Sequence, residues 1–498
     1  MSTTDGFPTD ATGLPEARAP EVVELSDRAE LDLRIAPVAK RLGDATVRML
    51  AYNGSIPGPV LKVEQGSEIT VNIENHGDLE TTVHWHGLRL ENRYDGTHET
   101  QPTIPVGGRF TVRVKVPDPG MYWYHPHIRQ DYGQEMGLYG NVLVVPAEPG
   151  YWPPAHREVL LTLDDILLDE DGRVAPFSRA EATHSAMGRF GDVLLVNGET
   201  DHSISARLGE VVRFYLTNTA NTRVFKVALP GARMKHVGAD SGHVEHERLV
   251  EEVVLAPSER VVIDVLFDRA GALTLEHRTP GRVYALAAVG VSEEQAEPAP
   301  AREFGALRTN ADMVAERERI APYLEAAPDK RLAFIAEMDL GGHEHHHGHG
   351  AEAHGADAGG DGIEWEDEMA EVNRMTTSAN MRWKLIDRDT GAENDEIDWR
   401  FTVGDQVKIR LLNEMAGDHP MHHPFHVHGA GRFLVLARDG VAEPSLAWKD
   451  TVLVRAGETV DILLDVTNPG RWMAHCHIAE HHESGMMFSF DVVPRKNH

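Results

Sequence analysis

One short sequence pattern occurs three times in this chain: a glycine, an alternating apolar run, and an asparagine nine residues after the glycine. The three copies span residues 66–75, 209–218 and 404–413. Alternation of apolar and polar residues with a period of two indicates a β-strand that has one buried face. A pattern that repeats at this spacing predicts three copies of one all-β unit, and it argues against a single large core.

A second pattern, in which a glycine separates two strands, also occurs three times and supports the same division. Its first strands precede Gly120, Gly271 and Gly470. A chain of 498 residues is long enough for three domains of roughly 150 residues each. Helical periodicity is scarce, apart from a short helix predicted around residues 313–323. The predicted fold class is therefore all-β, with three β-sandwich domains.

The repeats and the changes in composition between them predict five segments. They are a flexible N-terminal segment (1–30), a first domain (31–148), a second domain (149–300), a linker (301–362) and a third domain (363–498).

The charge of the chain argues against several classes of partner. The formal net charge is −31 at pH 7, which disfavours nucleic acid and anionic membranes and favours cationic ligands such as metal ions. No apolar run approaches the ~20 residues that span a bilayer. The first 21 residues lack a charged stretch followed by an apolar one, so no export signal is visible. The expected location is cytoplasmic for the sequence as it stands, and outside the cytoplasm if a signal was removed.

One segment near the C-terminus contains the only cysteine of the chain, Cys476, with a histidine on each side. In a strand, His475 and His477 point to one face and Cys476 points to the other, so one segment can contact two metal sites. His481 and Met486 follow five and ten residues after the cysteine. They complete the imidazole, thiolate and thioether set of a blue-copper site. A buried structural thiol is the alternative, and the flanking histidines argue against it.

Four His-x-His pairs occur at equivalent positions of the repeats. They are residues 84–86 and 125–127 in the first domain, and 426–428 and 475–477 in the third. Two residues that are two apart on a strand share a face, so each pair is a natural set of two ligands. A single pair is better explained by surface or core histidines, whereas four equivalent pairs predict a metal cluster.

The second domain keeps the strand but lacks these ligands. Phe225 and Val227 stand where the first domain has His84 and His86. The predicted cluster must therefore be shared by the first and third domains. Imidazole binds copper, zinc, iron or nickel, and the neighbouring Cys476 favours copper.

With these four motifs and the cysteine segment, the chain resembles a three-domain multicopper oxidase of the bacterial laccase type. Residues 52–59, which read Tyr-Asn-Gly-Ser-Ile-Pro-Gly-Pro, are typical of the first domain of that family. The resemblance covers residues 31–493, apart from an insert in the linker. It implies three cupredoxin-like domains, each a Greek-key β-sandwich or barrel. It also implies four copper ions: one type 1, one type 2 and two type 3.

The resemblance further implies a role for each ligand. The type 1 copper would be bound by His423, Cys476, His481 and Met486. The type 2 copper would be bound by His84 and His426, and the two type 3 ions by His86, His125, His127, His428, His475 and His477. The assignment of His423 depends on the register, because residues 419–422 also read His-Pro-x-His. That register lacks a histidine two residues further on.

The activity that the resemblance implies couples oxidation of a small donor to the four-electron reduction of dioxygen to two waters. Electrons would enter near His423 and His481 at the surface and would pass through Cys476 to the cluster. A methionine as the axial ligand favours donors that are easily oxidised, such as phenols, aromatic amines or low-valent metal ions.

Two acids are candidates for the catalytic delivery of protons to the cluster. Asp95 stands nine residues after His86 and matches an acid that the family places beside the cluster. An Asp-Gly turn is the alternative explanation, and both can hold. After the type 1 histidine the family often has a second acid, whereas this chain has His482 and then Glu483. Glu483 is therefore the candidate for the second proton relay.

The linker contains a His-rich stretch, with six histidines between residues 343 and 354 among glycines and acids. Such tracts bind transition metals, and a solvated linker that binds metal only incidentally is an equal alternative. The stretch supports a second hypothesis, a cuprous-ion oxidase that serves copper homeostasis. A copper nitrite reductase is a third hypothesis, and the full set of eight histidines argues against it.

Overall fold

The computed structural model describes residues 6–338, 360–415 and 421–496, and the structural statements below refer to those residues. The His-rich stretch of residues 343–354 and the first residues of the alternative register 419–422 lie outside them. The described chain folds into six β-sheets, two for each copy of the repeat.

The strands follow the three copies in order. In the first copy they are β1 (Val22–Leu25), β2 (Glu30–Leu42), β3 (Ala45–Tyr52), β4 (Val60–Glu64), β5 (Glu68–Asn75), β6 (His84–His86), β7 (Arg109–Lys115), β8 (Gly120–His125) and β9 (Gly140–Val145). In the second copy they are β10 (Arg157–Ile166), β11 (Val193–Val196), β12 (Ser203–Leu208), β13 (Glu210–Asn218), β14 (Phe225–Ala228), β15 (Arg233–Ala239), β16 (Gly242–Val250), β17 (Glu252–Leu255), β18 (Arg260–Phe267), β19 (Gly271–Arg278) and β20 (Val283–Gln295). In the third copy they are β21 (Lys330–Met338), β22 (Met381–Asp387), β23 (Arg400–Thr402), β24 (Gln406–Asn413), β25 (His423–Val427), β26 (Gly431–Arg438), β27 (Val441–Ala442), β28 (Trp448–Lys449), β29 (Thr451–Val454), β30 (Thr459–Val466), β31 (Gly470–Cys476) and β32 (Met487–Val493).

Helices are few and short. The α-helices are α1 (Gln130–Glu135), α2 (Pro298–Glu303), α3 (Ala311–Leu324), α4 (Ala370–Asn373) and α5 (Ala479–Glu483), and two 3₁₀ turns cover Asn92–Tyr94 and Asn394–Glu396. The helix predicted around residues 313–323 is confirmed as α3. None of the described helices is long and apolar enough to cross a membrane.

Each copy has the same arrangement of two sheets. In one sheet, the strand of the first pattern lies between a parallel and an antiparallel neighbour, in the orders β2-β5-β7, β10-β13-β18 and β21-β24-β30. In the other sheet, a short strand pairs antiparallel with the strand that follows the glycine of the second pattern. These pairs are β6 with β8, β14 with β19, and β25 with β31. The predicted all-β class is confirmed.

The apolar positions of the repeated strands lie at the centre of each sandwich. Val71, Phe214 and Ile409 stand five residues after the glycine in the three copies, and each is at most 2 % exposed. Burial of one such side chain stabilises the fold by about 1.5–3 kcal/mol. In β5 the alternation of the sequence is an alternation between buried and half-buried residues, whereas every residue of β13 is buried.

The asparagine that ends each copy of the first pattern has a structural role. The side-chain amide of Asn75 donates to two loop carbonyls at 2.9 Å each, and its Oδ1 accepts the backbone N–H two residues later at 2.9 Å. Asn218 and Asn413 make the equivalent three hydrogen bonds in their own copies. An amide suits this place because it offers two donors and an acceptor on one short side chain. The repeated asparagine thus joins the end of the strand to the loop that follows.

The N-terminal segment belongs to the first pair of sheets. β1 pairs in parallel with β4, and Phe7 stacks on Tyr132 with ring centroids 3.7 Å apart. The described part of the segment that we predicted as flexible, residues 6–30, therefore supplies a strand and an aromatic contact. A four-residue strand at a sheet edge is too short to show an alternating pattern, so the prediction for this segment relied on its composition. The other segment boundaries stay predictions.

Candidate metal centres

The strand register brings the predicted ligand histidines face to face. His84 in β6 lies directly opposite His125 in β8, and His426 in β25 lies directly opposite His475 in β31. Residues that lie opposite each other in an antiparallel pair point to the same face. The first and third domains therefore each present a double row of imidazoles on one face of a sheet.

The two double rows meet where the first and third domains join. All eight histidines of the four pairs are at most 2 % exposed. The Nε2 atom of His475 lies 3.4 Å from that of His127 and 3.0 Å from that of His428, and the rings of His86 and His426 stack at 3.7 Å. Three sets of three of these imidazoles each place their ligand atoms within 4.8 Å of one another. The predicted sharing of one cluster between two domains agrees with this geometry.

Hydrogen bonds to the protein hold one nitrogen of most of these rings. The Nδ1–H group donates from His84 to Asp95 O (2.6 Å), from His125 to Pro126 O (2.9 Å), from His426 to Asp450 O (2.9 Å), from His428 to Asp95 Oδ2 (2.8 Å) and from His475 to Cys476 O (2.8 Å). The Nε2 atoms of His84, His125 and His426 have no hydrogen-bond partner among the described residues, and those of His428 and His475 lie against each other. In His86 the two nitrogens exchange roles: Nε2 is hydrogen-bonded to the protein, and Nδ1 has no hydrogen-bond partner among the described residues. Such fixed tautomers are typical of metal ligands.

Burial favours the neutral form of most of these imidazoles. It lowers the pKa of seven of them well below the usual histidine value: His86, His125, His127, His426, His428, His475 and His477. A neutral imidazole with one nitrogen tied to the protein offers the lone pair of the other. Buried lone pairs without a protein partner fit metal ions, so the donor set suits a copper cluster.

Asp95 lies beside the cluster, as the sequence predicts. It is 0 % exposed, its Oδ2 accepts from His428 Nδ1 at 2.8 Å, and its Oδ1 lies 3.4 Å from His84 Nδ1. It also closes a 3₁₀ turn, and Gly96 follows with a φ of +85°. The turn and the position beside the cluster occur together, because the turn is what places the carboxylate between the two rings.

His482, and not Glu483, faces the cluster on the side of α5. The ring of His482 lies 4.8 Å from the rings of His127 and His475. The Oε1 atom of Glu483 accepts the backbone N–H of Gln130 at 3.0 Å and lies 3.5 Å from His482 Nδ1. Glu483 is therefore connected to the cluster through the imidazole of His482 and through Gln130, whose Nε2 lies 3.4 Å from Nδ1 of His477.

Two residues that the sequence analysis missed connect the second domain to the cluster. Asp450 accepts from His86 Nε2 at 2.9 Å, and the guanidinium of Arg260 in β18 donates to both of its carboxylate oxygens. His86, His426 and Asp450 have ligand atoms within 4.8 Å of one another, which is close enough for a metal site. Because Arg260 occupies both oxygens, Asp450 orients the ring of His86 instead of serving as a ligand. No sequence pattern marks either residue.

The second centre lies on the opposite face of β31. Cys476 Sγ lies 3.4 Å from His423 Nδ1 and 3.8 Å from His481 Nδ1, and the two nitrogens are 3.4 Å apart. The backbone of Met486 is hydrogen-bonded to both Cys476 and His481, at 3.1 and 3.0 Å. All four residues are 0 % exposed. Burial raises the pKa of the Cys476 thiol, so a thiolate here needs a bound cation, and a soft metal ion fits.

His423 and His481 do not reach the surface, contrary to our expectation. The ring of Trp383 stacks on His481 with centroids 4.0 Å apart, and Phe334 packs edge-on against His423 at 5.6 Å. The covering aromatics lie on β22 and β21, far from the ligands in sequence. A donor therefore passes electrons to these imidazoles through intervening protein groups.

The two centres are linked by three consecutive residues. Cys476 belongs to the thiolate centre, while His475 and His477 belong to the cluster. The Nδ1–H of His475 also donates to the carbonyl of Cys476 at 2.8 Å. One covalent path and one hydrogen bond therefore join the centres.

Comparisons with known proteins agree with this arrangement. Two domain families, both described as multicopper oxidase, match residues 37–149 and 364–496, which contain all the predicted ligands. The multicopper oxidase MmcO of Mycobacterium tuberculosis is 28 % identical, across 92 % of this chain and 86 % of that protein. The copper resistance protein A homolog of Pseudomonas syringae pv. tomato is 23 % identical, across 92 % of this chain and 91 % of its own.

Solved structures show the same fold. The crystal structure of a multi-copper oxidase from Pseudomonas thermotolerans matches with a TM-score of 0.68 and 25 % identity, across 95 % of this chain and 100 % of that one. A bacterial laccase-like multi-copper oxidase, CueO from Ochrobactrum sp., matches with a TM-score of 0.71 and 22 % identity, across 96 % and 100 %. The three sandwiches are thus cupredoxin-like, and the protein is an oxidoreductase that uses four copper ions. The chain belongs to the multicopper oxidase family.

Proposed function

We propose that this protein is an oxidase of the laccase type, which oxidises phenolic or aromatic amine donors one electron at a time and reduces dioxygen to water. The observation that supports this most is the position of Cys476, whose thiol belongs to one centre and whose two neighbours belong to the other. When copper is bound, it supplies the redox chemistry, with single electrons taken up at the thiolate centre and four delivered to dioxygen at the cluster.

The protein would hold each ion with a different donor set. The type 1 ion would be held by His423, Cys476, His481 and Met486, the type 2 ion by His84 and His426, and the type 3 ions by His86, His125, His127, His428, His475 and His477. The fixed tautomers of the cluster rings support this assignment, because they leave one buried nitrogen per ring for a metal.

The surroundings of the thiolate centre favour small organic donors. Its thioether comes from Met486, which favours a moderate potential and therefore an electron-rich donor. Aromatic side chains, among them Trp383 and Phe334, surround its imidazoles. Both rings are buried as well, so a donor would transfer its electron through intervening protein groups instead of touching the imidazoles.

Reduction of dioxygen to two waters consumes four protons, and two groups of this chain would supply them. The Oδ2 atom of Asp95 accepts a hydrogen bond from His428, whereas its Oδ1 atom has no hydrogen bond among the described residues. This atom can hold a proton or orient a water next to the cluster. On the other side, His482 would pass protons between Glu483 and the cluster, in place of the acid that the family often has there.

Oxygen uptake tests the donor class. We expect faster uptake, as kcat/KM, with 2,6-dimethoxyphenol than with cuprous ion, in protein that contains four copper ions per chain. A preference for cuprous ion would instead support the copper-homeostasis oxidase, a role consistent with the name of the copper resistance protein A homolog. The absence of uptake with either donor would contradict both.

A further inference from the structure

A cavity of about 570 Å³ lies between the second domain and the chain that leads into the third domain. Its walls come from residues 190–194, 279–284 and 363–368. The apolar part of the wall is formed by Phe190, Tyr284, Ile363 and Trp365. Cavities of a few hundred cubic ångström with aromatic walls are the usual sites for small molecules. Neither the sequence patterns nor the copper centres account for this one.

The cavity borders the thiolate centre in two ways. The backbone N–H of Glu364, in the cavity wall, donates to Nδ1 of His422 at 3.1 Å. His422 directly precedes His423, whose Nδ1 lies against the thiol. Phe190, on the opposite wall, is 6 % exposed and packs in the same apolar cluster as Cys476. A molecule that contacts the backbone of Glu364 is therefore connected to Nδ1 of His423 by one hydrogen bond and nine covalent bonds.

Carboxylates dominate the charge of the cavity. Five of them line it: Asp192, Glu364, Glu366, Asp367 and Glu368. The two guanidinium groups that line it are those of Arg223 and Arg282.

The buried guanidinium is not available to an anionic ligand. Arg223 has a side chain that is 4 % exposed, and it donates to Asp165 at 2.7 Å, to the carbonyl of Gly191 at 2.8 Å and to Glu366 at 3.2 Å. Arg282 is exposed, and the Nζ atom of Lys226 lies 4.6 Å from the centroid of the Trp365 ring. The five carboxylates still outnumber these cations, so the cavity combines aromatic walls with a net negative rim, which suits a flat cation.

We propose that this cavity binds the electron donor and selects aromatic donors that carry a positive charge, such as a phenol with an ammonium side chain. The inference rests on the proposed laccase-type function. Each bound phenol loses one electron and its hydroxyl proton, and leaves as a phenoxyl radical. Four such oxidations supply the four electrons and four protons that convert one dioxygen into two waters. The electron leaves the cavity through Glu364 and His422 toward His423.

Two donors with the same ring test this selectivity. One is 4-hydroxy-3-methoxyphenethylamine, a cation, and the other is 4-hydroxy-3-methoxyphenylacetate, an anion. The double variant Asp192→Asn with Glu368→Gln removes two exposed rim charges and keeps the side-chain shapes. We expect its KM for the cation to rise by about three-fold to ten-fold, its KM for the anion to fall or stay constant, and kcat for both to change by less than about two-fold. The control is Glu21→Gln, which removes an exposed carboxylate in the N-terminal segment, far from the cavity residues in sequence.

Binding without turnover provides a second readout. Phenyltrimethylammonium carries the charge and the ring but has no oxidisable hydroxyl, so calorimetry measures its affinity directly. We expect the double variant to bind it several-fold more weakly than the parent and the Glu21→Gln protein. Equal affinities, or equal rises in KM for both phenols, would overturn the proposal. If the parent protein consumes no oxygen with either phenol, the proposed function fails, and the calorimetry still decides whether the cavity is a site for aromatic cations.

Discussion

The first and second domains contain an equivalent short strand. It carries metal ligands in the first domain and apolar side chains in the second. His84 and His86 of β6 face the cluster, whereas Phe225 and Val227 of β14 are buried in an apolar core. The strands β5 and β13 end in the same asparagine with the same hydrogen bonds. The difference shows that alternation and the asparagine specify the sandwich, while two positions on one short strand decide whether it binds metal.

The second domain also differs from the third at the strand that bears the cysteine. His277 in β19 stands at the place of Cys476 in β31, and its Nδ1 accepts the backbone N–H of Lys226 at 3.1 Å. That bond removes the lone pair that a metal would need. The second domain nevertheless supports the cluster, because its Arg260 holds the carboxylate that orients His86. It has lost the ligands and retained a positioning role.

The largest effect is expected from Cys476→Ser, which removes the feature that most separates the third domain from the second. The intense blue absorption requires a thiolate–copper bond, and a hydroxyl is a poor ligand for the same ion. We expect the visible band and the oxidase activity to disappear, while the cluster histidines still bind copper, as metal analysis would show. A blue Cys476→Ser protein would contradict the assignment of the thiolate centre.

The second test gives the first domain the residues of the second. In the double variant His84→Phe with His86→Val we expect a folded, blue protein with fewer than four copper ions. Its oxygen consumption should fall by more than the roughly 100-fold that loss of an orienting partner causes.

The reverse exchange is the matched control. Phe225→His with Val227→His should gain no tightly bound copper, because β19 offers Glu276 and Arg278 where β31 has histidines. Copper bound to this variant with the spectrum of the cluster would mean that the strand β14 alone encodes the site.

These exchanges indicate what can be predicted from one sequence. The ligands can be found because strands have a period of two and because the three copies can be compared position by position. Arg260 and Asp450 cannot, since they are 190 residues apart and belong to no local pattern. The burial of His481 under Trp383 was also missed, because the contact joins α5 to β22, and the sequence does not specify that these two elements pack together. Long-range polar contacts and the covering of a site therefore required the structure.

Asp95→Asn is expected to separate the two half-reactions. The amide retains the shape of the carboxylate but cannot deliver a proton, and dioxygen reduction is the half-reaction that consumes protons at the cluster. Stopped-flow absorption should show reduction of the blue centre by a phenol at nearly the parental rate. Reoxidation by dioxygen should be slower by about 100-fold, the low end of proton-transfer effects. Equal losses in both steps would mean that Asp95 serves folding alone.

Arg260→Lys tests whether the second domain positions a ligand of the first. Lysine keeps the charge but cannot donate to both oxygens of Asp450, so the ring of His86 loses its fixed orientation. We expect an altered electron paramagnetic resonance spectrum of the cluster copper and a loss of oxygen reduction of about 10-fold to 100-fold, with the blue band unchanged.

A control for that variant exists in the same domain. Arg213 is bound by Asp264 through two hydrogen bonds of 2.8 and 3.1 Å, and it is 4 % exposed. Arg213→Lys should therefore destabilise the second domain to a similar degree and leave the cluster spectrum as in the parent. An identical spectral change in both variants would mean that Arg260 acts on stability only.

The smallest effect on activity is expected from the repeated asparagines, which the domains share whether or not they bind copper. Asn218→Ala leaves two buried carbonyls and one N–H without their partner, which should destabilise the second domain by about 2–4 kcal/mol. Asn75→Ala and Asn413→Ala should cost similar amounts in their own domains, because their hydrogen bonds are equivalent. Hydrogen exchange, read separately for each domain, measures these losses without requiring two-state unfolding. At 25 °C the Asn218→Ala protein should keep the parental copper content and kcat, since no ligand lies in that domain. A selective loss of copper from this variant would mean that the asparagine of the second domain serves the metal sites and not the sandwich.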